Sequence, residues 1–334
     1  MLLSIVIPVF NEAESIPHLL SALCPIALDI DPAYEIVFVD DGSSDATYRR
    51  LSEAAESNPH LKILSFSRNF GHQVAVTAGL DFSSGDAVVV MDADLQDPPE
   101  LLPRMIELYR EGYDIVSPQR TSREADSWFK RWSARMFYKV MQRMVDRRIQ
   151  PEVGDFRLFS RNALIAIRSF REQHRFMRGL VAWLGLKEAV VPFARQARVA
   201  GETKYPFRKM LAFSWTAITS FSGLPLRFSL ALGLIIVFGD ILLMGWVIWA
   251  ALIAKSVVPG WASLMLVQGI FSGVTLIAVG LLGDYVSRIY DEIKRRPLYI
   301  VNRSLNLPEI AAGTGPERTL MLAGDEVIVV THRK

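Results

Sequence analysis

The sequence holds one cysteine, Cys24, in 334 residues. An internal disulfide framework and a cysteine-built zinc site are both excluded by that count. Long runs of one charge are also missing: 37 basic residues stand against 35 acidic ones, for a formal net charge of +2. A nucleic-acid binder needs a basic stripe or patch, so none is expected here. The N-terminus, Met1-Leu2-Leu3-Ser4-Ile5-Val6-Ile7-Pro8, has no basic start and no apolar run beyond strand length. A cleaved signal peptide is therefore not expected, and the first domain is expected in the cytosol. One absence is local. Between Arg227 and Lys255 the only charged residue is Asp240, and between Lys255 and Asp284 there is none.

Each of those intervals exceeds the roughly 20 apolar residues that cross about 30 Å of hydrocarbon. Two transmembrane helices are expected, at about 228–254 and 262–284, with a tight turn at Pro259-Gly260 making them a hairpin. Lys204, Arg208, Lys209 and Arg227 precede the pair, Arg288, Lys294, Arg295 and Arg296 follow it, and one lysine lies in the turn. The positive-inside rule then predicts a multi-pass inner-membrane protein with its catalytic domain and both termini cytoplasmic. Asp240 at mid-membrane marks a lipid path, a helix contact, or a carboxyl kept protonated by burial.

From the N-terminus to about residue 120, short apolar runs alternate with helical spacing: Leu3 to Val9, Glu35 to Val39, Lys62 to Phe66, Ala87 to Met91 and Asp114 to Val116. Runs apolar on both faces and separated by helices read as buried parallel strands of an α/β sheet. Ligands bind such sheets at the carboxyl ends of the strands. Those ends carry Asn11-Glu12, Asp40-Asp41-Gly42-Ser43, Ser67-Arg68-Asn69 and Asp92-Ala93-Asp94. Farther on, Trp132, Met136, Val140 and Met144 recur every fourth residue beside Lys130, Arg131, Arg135, Lys139 and Arg143. That basic amphipathic pattern, like Phe207 to Phe221 after it, fits a helix lying on a membrane surface. The expected layout is a catalytic domain at 1–204, interfacial helices at 205–227, the hairpin at 228–286 and a cytosolic tail at 287–334 with a terminal strand at Glu326 to Val330.

The chemistry centres on Asp92-Ala93-Asp94. Extended geometry aims both carboxylates off one strand end into one crevice, where they repel unless a cation joins them. A hard divalent ion held by one or two carboxylates and completed by phosphate oxygens is how Mg2+ or Mn2+ binds a nucleotide diphosphate. Pro98 and Pro99 just after it suit a helix start. At the first two turns, acidic groups can accept from ribose hydroxyls or a base N–H, and Ser44 or Asp45 can cap the next helix.

Six motifs occur in an order that resembles family 2 glycosyltransferases of the dolichol-phosphate mannosyltransferase type: Ser4 to Glu12, Val39 to Ser43, Ser67 to Gly71, Asp92 to Glu100, Gly154 to Leu158 and Gly201 to Tyr205. The hairpin and the exit from Gly283-Asp284-Tyr285 to Arg296-Pro297 look like the bacterial polyprenyl-phosphate branch, which includes undecaprenyl-phosphate glucosyltransferases of the GtrB kind. The resemblance covers residues 3 to about 303 and implies a GT-A, Rossmann-like nucleotide-sugar domain. It assigns Asp92, Asp94 and Gln96 to the metal and diphosphate, and Pro8, Phe10, Glu12 and Asp40 to the nucleoside. Asp155 matches the acidic residue near the sugar carbon, as a base or an orienting group, and with Asp94 forms the catalytic pair. Arg198 and Lys204 match phosphate contacts, and Arg120 with Lys130 or Arg131 lies where the acceptor phosphate is held.

The implied reaction is inverting transfer of a hexose, glucose from UDP-glucose in this branch, to a polyprenyl phosphate such as undecaprenyl phosphate. GDP-mannose, UDP-aminoarabinose and UDP-GlcNAc are the alternative donors, and a homo-oligomer, a tetramer, is the implied assembly. Three other readings fit less well. A processive polysaccharide synthase should carry Gln-x-x-Arg-Trp, but Trp128 stands where that Gln belongs ahead of Arg131-Trp132. An inactive membrane scaffold would not need the intact carboxylates. A membrane-anchored dehydrogenase would need a glycine-rich turn after the first strand, and Pro8 to Glu12 has no glycine.

Overall fold

The computed structural model describes residues 1–120, 150, 153–193, 219, 223–252, 260–307, 319–323 and 326–330. The amphipathic stretches expected around 128–145 and 207–221 lie outside the described residues apart from Thr219. Strands β1 (Leu3–Val9), β2 (Glu35–Asp40), β3 (Leu61–Phe66) and β4 (Ala87–Val90) run parallel, with β1 between β2 and β4 and β3 beyond β2. β1 is buried along its whole length, as a central strand covered on both faces must be. The crossovers are α1 (Ser15–Ile30), α2 (Thr47–Ser57) and α3 (His72–Phe82).

Alternation divides the core. Leu3, Ile5 and Ile7 face the side covered by α1, whose Ile16, Leu19, Leu23 and Ala27 form the expected helical stripe. Val6, Val37, Val39 and Val88 face the side covered by α3. Gly79 lets α3 press close, since a Cβ there would sit 2.1 Å from the Val6 side chain. After β4, a 3-10 turn at Pro99–Leu101 leads into α4 (Leu102–Arg110), with the prolines at the start as expected.

Beyond β4 the sheet departs from the all-parallel expectation. β5 (Ile115–Arg120) keeps the common direction, but β6 (Arg157–Ser160) inserts between it and β4, antiparallel to both. α5 (Arg161–Ser169), α6 (Met177–Leu184) and β7 (Glu188–Phe193) follow, with β7 parallel to β5. β6 is too short for a period to declare it. Its reversal has a functional result: Val90 pairs with Arg157, so the turn before β6 lies at the carboxyl end of β4.

Two long helices come next, α7 (Leu224–Leu252) and α8 (Trp261–Ile293). They contact each other, and they expose Phe228, Leu234, Ile235, Trp246, Leu276 and Ile277. Among the described residues one segment, Val267–Ile293, is long and apolar enough to cross a membrane. α7 starts inside the stretch expected as interfacial, and α8 runs past the expected end, helped by an i,i+4 pair of Arg288 and Asp284 at 3.2 Å. The tail then rejoins the catalytic sheet. β8 (Tyr299–Leu305) pairs antiparallel with β3, β9 (Thr319–Ala323) lies parallel to β8, and β10 (Glu326–Val330) completes the edge where a terminal strand was expected. Burial of Leu298, Tyr299 and Val301 holds β8 in place, with Tyr299 stacked on Phe66 at 5.2 Å. Among the described residues the strand order is β10-β9-β8-β3-β2-β1-β4-β6-β5-β7.

Candidate active site

The parallel strands all end on one side, and there the polar residues meet. At the end of β1, Asn11 takes a left-handed backbone (φ 54°) that asparagine tolerates. Its N–H donates to Ser43 Oγ at 2.9 Å, and its Oδ1 accepts from Ser44 N at 2.9 Å. Glu12 N donates to Thr47 Oγ1 at 2.9 Å, and Glu12 Oε2 accepts from Ser15 Oγ at 2.8 Å at the start of α1. From the position before Ala46, the N-cap of α2, Asp45 accepts from Thr47 N at 2.9 Å, so neither Ser44 nor Asp45 is the cap residue expected. The β1 and β2 turns are thereby laced together.

Asp40 and Asp41 act on the turns around them. Asp40 is buried, with Oδ1 accepting from Ser43 N at 3.0 Å and Oδ2 from Ser65 Oγ at 2.8 Å. Asp41 accepts from Phe70 N at 2.6 Å and Gly71 N at 2.9 Å, which fixes the turn entering α3. Burial pushes the Asp41 carboxyl up, and those two backbone donors pull it back. Gly42 (φ 70°) fits beneath this turn because a Cβ would sit 2.5 Å from the Arg68 carbonyl carbon. Pro8 is buried in β1, while Phe10 stands 40% exposed at the strand end.

The β4 end holds the carboxylates. Asp92 follows β4 by two residues and Asp155 precedes β6 by two, so the Val90 to Arg157 register brings them to the same edge. His72, the first residue of α3, sits between them: its Nε2 is 3.3 Å from Asp155 Oδ2 and 3.8 Å from Asp92 Oδ1. Gln73 Nε2 donates to Asp155 Oδ2 at 2.8 Å, and Arg178 Nε reaches Asp155 Oδ1 at 3.4 Å. Leu95 holds a positive φ of 56°, a strain of about 1–2 kcal/mol that local structure must hold in place. Gln96 is buried, and its N–H donates to Asp94 Oδ1 at 3.1 Å. Asp97, also buried, accepts from Asp92 N at 3.4 Å and faces Arg120 at 3.8 Å.

The charges are uneven. Burial works to raise Asp155, but Arg178, the hydrogen bond with His72 and the nearby Arg157 hold its carboxyl far below the usual range. Enclosure lowers His72, yet Asp155 and Asp92 push it up to about 9. Enclosure raises Asp92, opposed by His72 and reinforced by the charges of Asp155 and Asp94. Burial and the charge of Asp92 push Asp97 up to about 7 against the pull of Arg120. Burial is the largest influence on both Asp92 and Asp97, and His72 and Arg120 act against it.

Among the described residues no three His, Cys, Asp or Glu side chains converge as a complete cage. Mg2+ does not require one, because it takes one or two carboxylates and fills its shell with phosphate oxygens and water. Asp92, 43% exposed, and Asp94 present the hard oxygen donors this chemistry uses. Gln96 serves the loop through its backbone.

Among the residues singled out from sequence, Asp92, Asp94, Gln96, Asp155 and Arg120 gather around β4 and β5, and Pro8, Phe10, Glu12 and Asp40 around β1 and β2. Lys130, Arg131, Arg198 and Lys204 lie outside the described residues. Sequence reasoning missed His72, Gln73, Arg178 and Asp97. His72 and Gln73 directly follow the Ser67 to Gly71 motif, a usable signal. Arg178 is the second residue of α6, far along the chain, and nothing in its neighbours marks it.

Carboxylates at the carboxyl ends of parallel strands, beside a reversed strand, lie where α/β enzymes bind their ligands. The family described as glycosyl transferase family 2 matches residues 4–168. The uncharacterized glycosyltransferase YkcC of Bacillus subtilis (strain 168) is 44% identical over 304 residues, 91% of this chain and 94% of that one. The SfII prophage-derived bactoprenol glucosyl transferase of Shigella flexneri is 41% identical over 305 residues, 91% and 98% of the two chains. Glucosyl-3-phosphoglycerate synthase from Mycobacterium tuberculosis, in complex with Mn2+, UDP and glucosyl-3-phosphoglycerate, aligns with TM-score 0.46 at 20% identity, covering 65% of this chain and 77% of that one. The chain belongs to glycosyltransferase family 2, with the GT-A fold in its catalytic part, and it is a glycosyltransferase.

Proposed function

We propose that this enzyme transfers glucose from UDP-glucose to a polyprenyl phosphate such as undecaprenyl phosphate, with inversion, at the cytoplasmic face of the inner membrane. The name bactoprenol glucosyl transferase, borne by relatives at 39–41% identity over nine-tenths of the chain, supports the acceptor and the sugar. The observation that carries the membrane part is the pairing of β8 with β3. The chain leaves the catalytic sheet after β7 and returns to it at β8, so it crosses any bilayer an even number of times. Val267–Ile293 supplies one crossing. α7, 29 residues and so about 43 Å long, is the element available for the second.

In this reading Asp92 and Asp94 hold Mg2+ or Mn2+, which when bound neutralises the departing diphosphate. Phe10 offers an aromatic face to the base, and the laced turns at Glu12 and Asp40 shape the nucleoside site. The nucleophile is itself a phosphate with a second pKa near ~6, so much of it is dianionic at neutral pH. No strong base is required, and Asp155, held anionic by its donors, orients rather than removes a proton. Arg120, Lys130, Arg131, Arg198 and Lys204 supply cations for the phosphates, and positioning provides much of the remaining rate.

The test is direct. Purified protein is incubated with undecaprenyl phosphate and, separately, radiolabelled UDP-glucose, GDP-mannose or UDP-GlcNAc, and the organic-extractable label is counted. Label from UDP-glucose alone supports the proposal. Label from another donor corrects the sugar, and no extractable label from any donor refutes the reaction.

A further inference from the structure

Asp155 closes a ring. Gln73 donates to it from Nε2 while the same amide's Oε1 accepts from Met177 N at 3.2 Å, and Arg178, the next residue, returns to Asp155 Oδ1. Three segments, α3, the turn before β6 and the start of α6, are thus locked to one carboxylate. His72 joins the ring to Asp92. A carboxylate supplied this way is a brace for cations, and the side chains it braces have a fixed direction.

The crevice has a charge problem that these side chains answer. Asp155 and Asp92 flank His72, at 3.3 and 3.8 Å from its Nε2, with Asp94 and Asp97 on the turn that Asp92 begins, yet both substrates of the proposed reaction bring phosphate to this place. Like charges within a few ångströms repel strongly unless cations lie among them. Near Asp155, Arg157 is buried at 3% exposure. Arg178 keeps 25% of its side chain open and His72 keeps 38%. Guanidinium is planar, always charged and forked to match phosphate oxygens.

We propose that Arg178, with His72 beside it, forms the seat for a substrate phosphate, braced in position by Asp155 and Gln73. The inference rests on the transfer reaction proposed above. The seated group is a phosphate oxyanion, either the monoester of the lipid acceptor or the diphosphate of the donor.

The experiment uses full-length enzyme in detergent with Arg178→Ala, Arg178→Lys and Gln73→Ala variants. Acceptor kinetics are measured with undecaprenyl phosphate, and UDP affinity by calorimetry. Arg178→Ala is expected to raise an acceptor KM or a UDP Kd at least tenfold, the first result assigning the seat to the acceptor and the second to the donor. Arg178→Lys should recover part of the loss. Gln73→Ala loosens the brace on Asp155 and Met177 but keeps the Arg178 guanidinium, so it should lower kcat and raise KM or Kd clearly less than Arg178→Ala does. If Arg178→Ala merely copies Gln73→Ala, Arg178 only positions Asp155 and the proposal is overturned. Should Arg178→Ala fail to fold, Arg178→Lys and His72→Asn carry the same comparison. A wild-type enzyme without any lipid-linked product refutes the reaction alone. Calorimetry with inorganic phosphate then still reads the seat, and equal affinity of wild type and Arg178→Lys overturns it.

Discussion

Tyr299 Oη donates to Asp81 Oδ2 at 2.8 Å, although 218 positions separate the two residues. Asp81 also receives both terminal nitrogens of Arg171, at 2.8 and 2.7 Å. The end of α3 is therefore tied to the strand that comes after α8, and α3 begins with His72. Nearby, Gln173 Nε2 donates to Arg296 O at 2.7 Å and His174 lies 3.3 Å from Asp291. The segment before α6 thus grips the end of the apolar helix on one side and leads into Arg178 on the other.

Replacing Asp81 by Ala removes the carboxylate that Arg171 grips, and breaking one side of a buried ion pair costs about 3–5 kcal/mol. Tyr299→Phe loses one hydrogen bond, about 1 kcal/mol. Urea unfolding of the detergent-solubilised protein is expected to rank them in that order. Equal losses would mean that the Arg171 pair adds nothing to the hydroxyl contact.

Gly42→Ala meets two costs at once. A left-handed backbone costs an L-residue about 1–2 kcal/mol, and the new Cβ would meet the Arg68 backbone at 2.5 Å. A loss of at least about 2 kcal/mol is expected. Because the displaced turn leads into His72, turnover should fall as well. A melting temperature within a degree of wild type would contradict the first expectation, and unchanged turnover the second.

Glu35 gives a pH signature remote from the crevice. It is buried, pairs with Lys62 and accepts from Ser4 Oγ and from Ser84 N. Burial alone would raise its pKa, but Lys62, Ser4 and Ser84 pull it below the usual glutamate value. A depressed folded pKa means the stabilisation is complete above the unfolded value of about 4.3 and is lost as pH falls through the folded value. Glu35→Gln should therefore be clearly less stable than wild type at pH 7, with the gap closing in acid below pH ~4. Parallel stability curves across that range would rule the linkage out.

Asp94→Asn is expected to lower turnover at least about 100-fold, the scale seen when one preorganised charge partner of a developing anion is removed. Chelator should stop the wild-type enzyme, with Mg2+ or Mn2+ restoring it. Full turnover in chelator would place the metal assignment in error.

The strands that sequence made legible are those buried on both faces, because a continuous apolar run such as Leu3 to Val9 declares itself without neighbours. The carboxylates at their ends were legible for the same reason, since the end of an apolar run marks the position of the turn beyond it. β6 and β8 were not. Arg157 to Ser160 and Tyr299 to Leu305 mix polar and apolar residues without a sustained period, and their place depends on edges offered by β4 and β3. Arg178 was hidden for a related reason: its partner Asp155 is 23 positions away and meets it only because β6 reverses the chain. The apolar helices were legible from missing charge alone, but their return into the sheet was not, as it rests on Tyr299 meeting Phe66 and Asp81.

The union of β8 with β3 also sets an order of events during synthesis. A ribosome makes β3 early and β8 only after both apolar helices have emerged. Until then the outer edge of β3 keeps its N–H and C=O groups unpaired, open to pairing with any other extended chain. If α7 and α8 enter the bilayer as proposed, a molecule in which only one of them inserts carries β8 to the far side, and its catalytic sheet never closes. Correct insertion and a finished catalytic domain are then a single outcome, and an enzyme with the wrong topology is also an unfinished one, exposed to proteolysis before it can act.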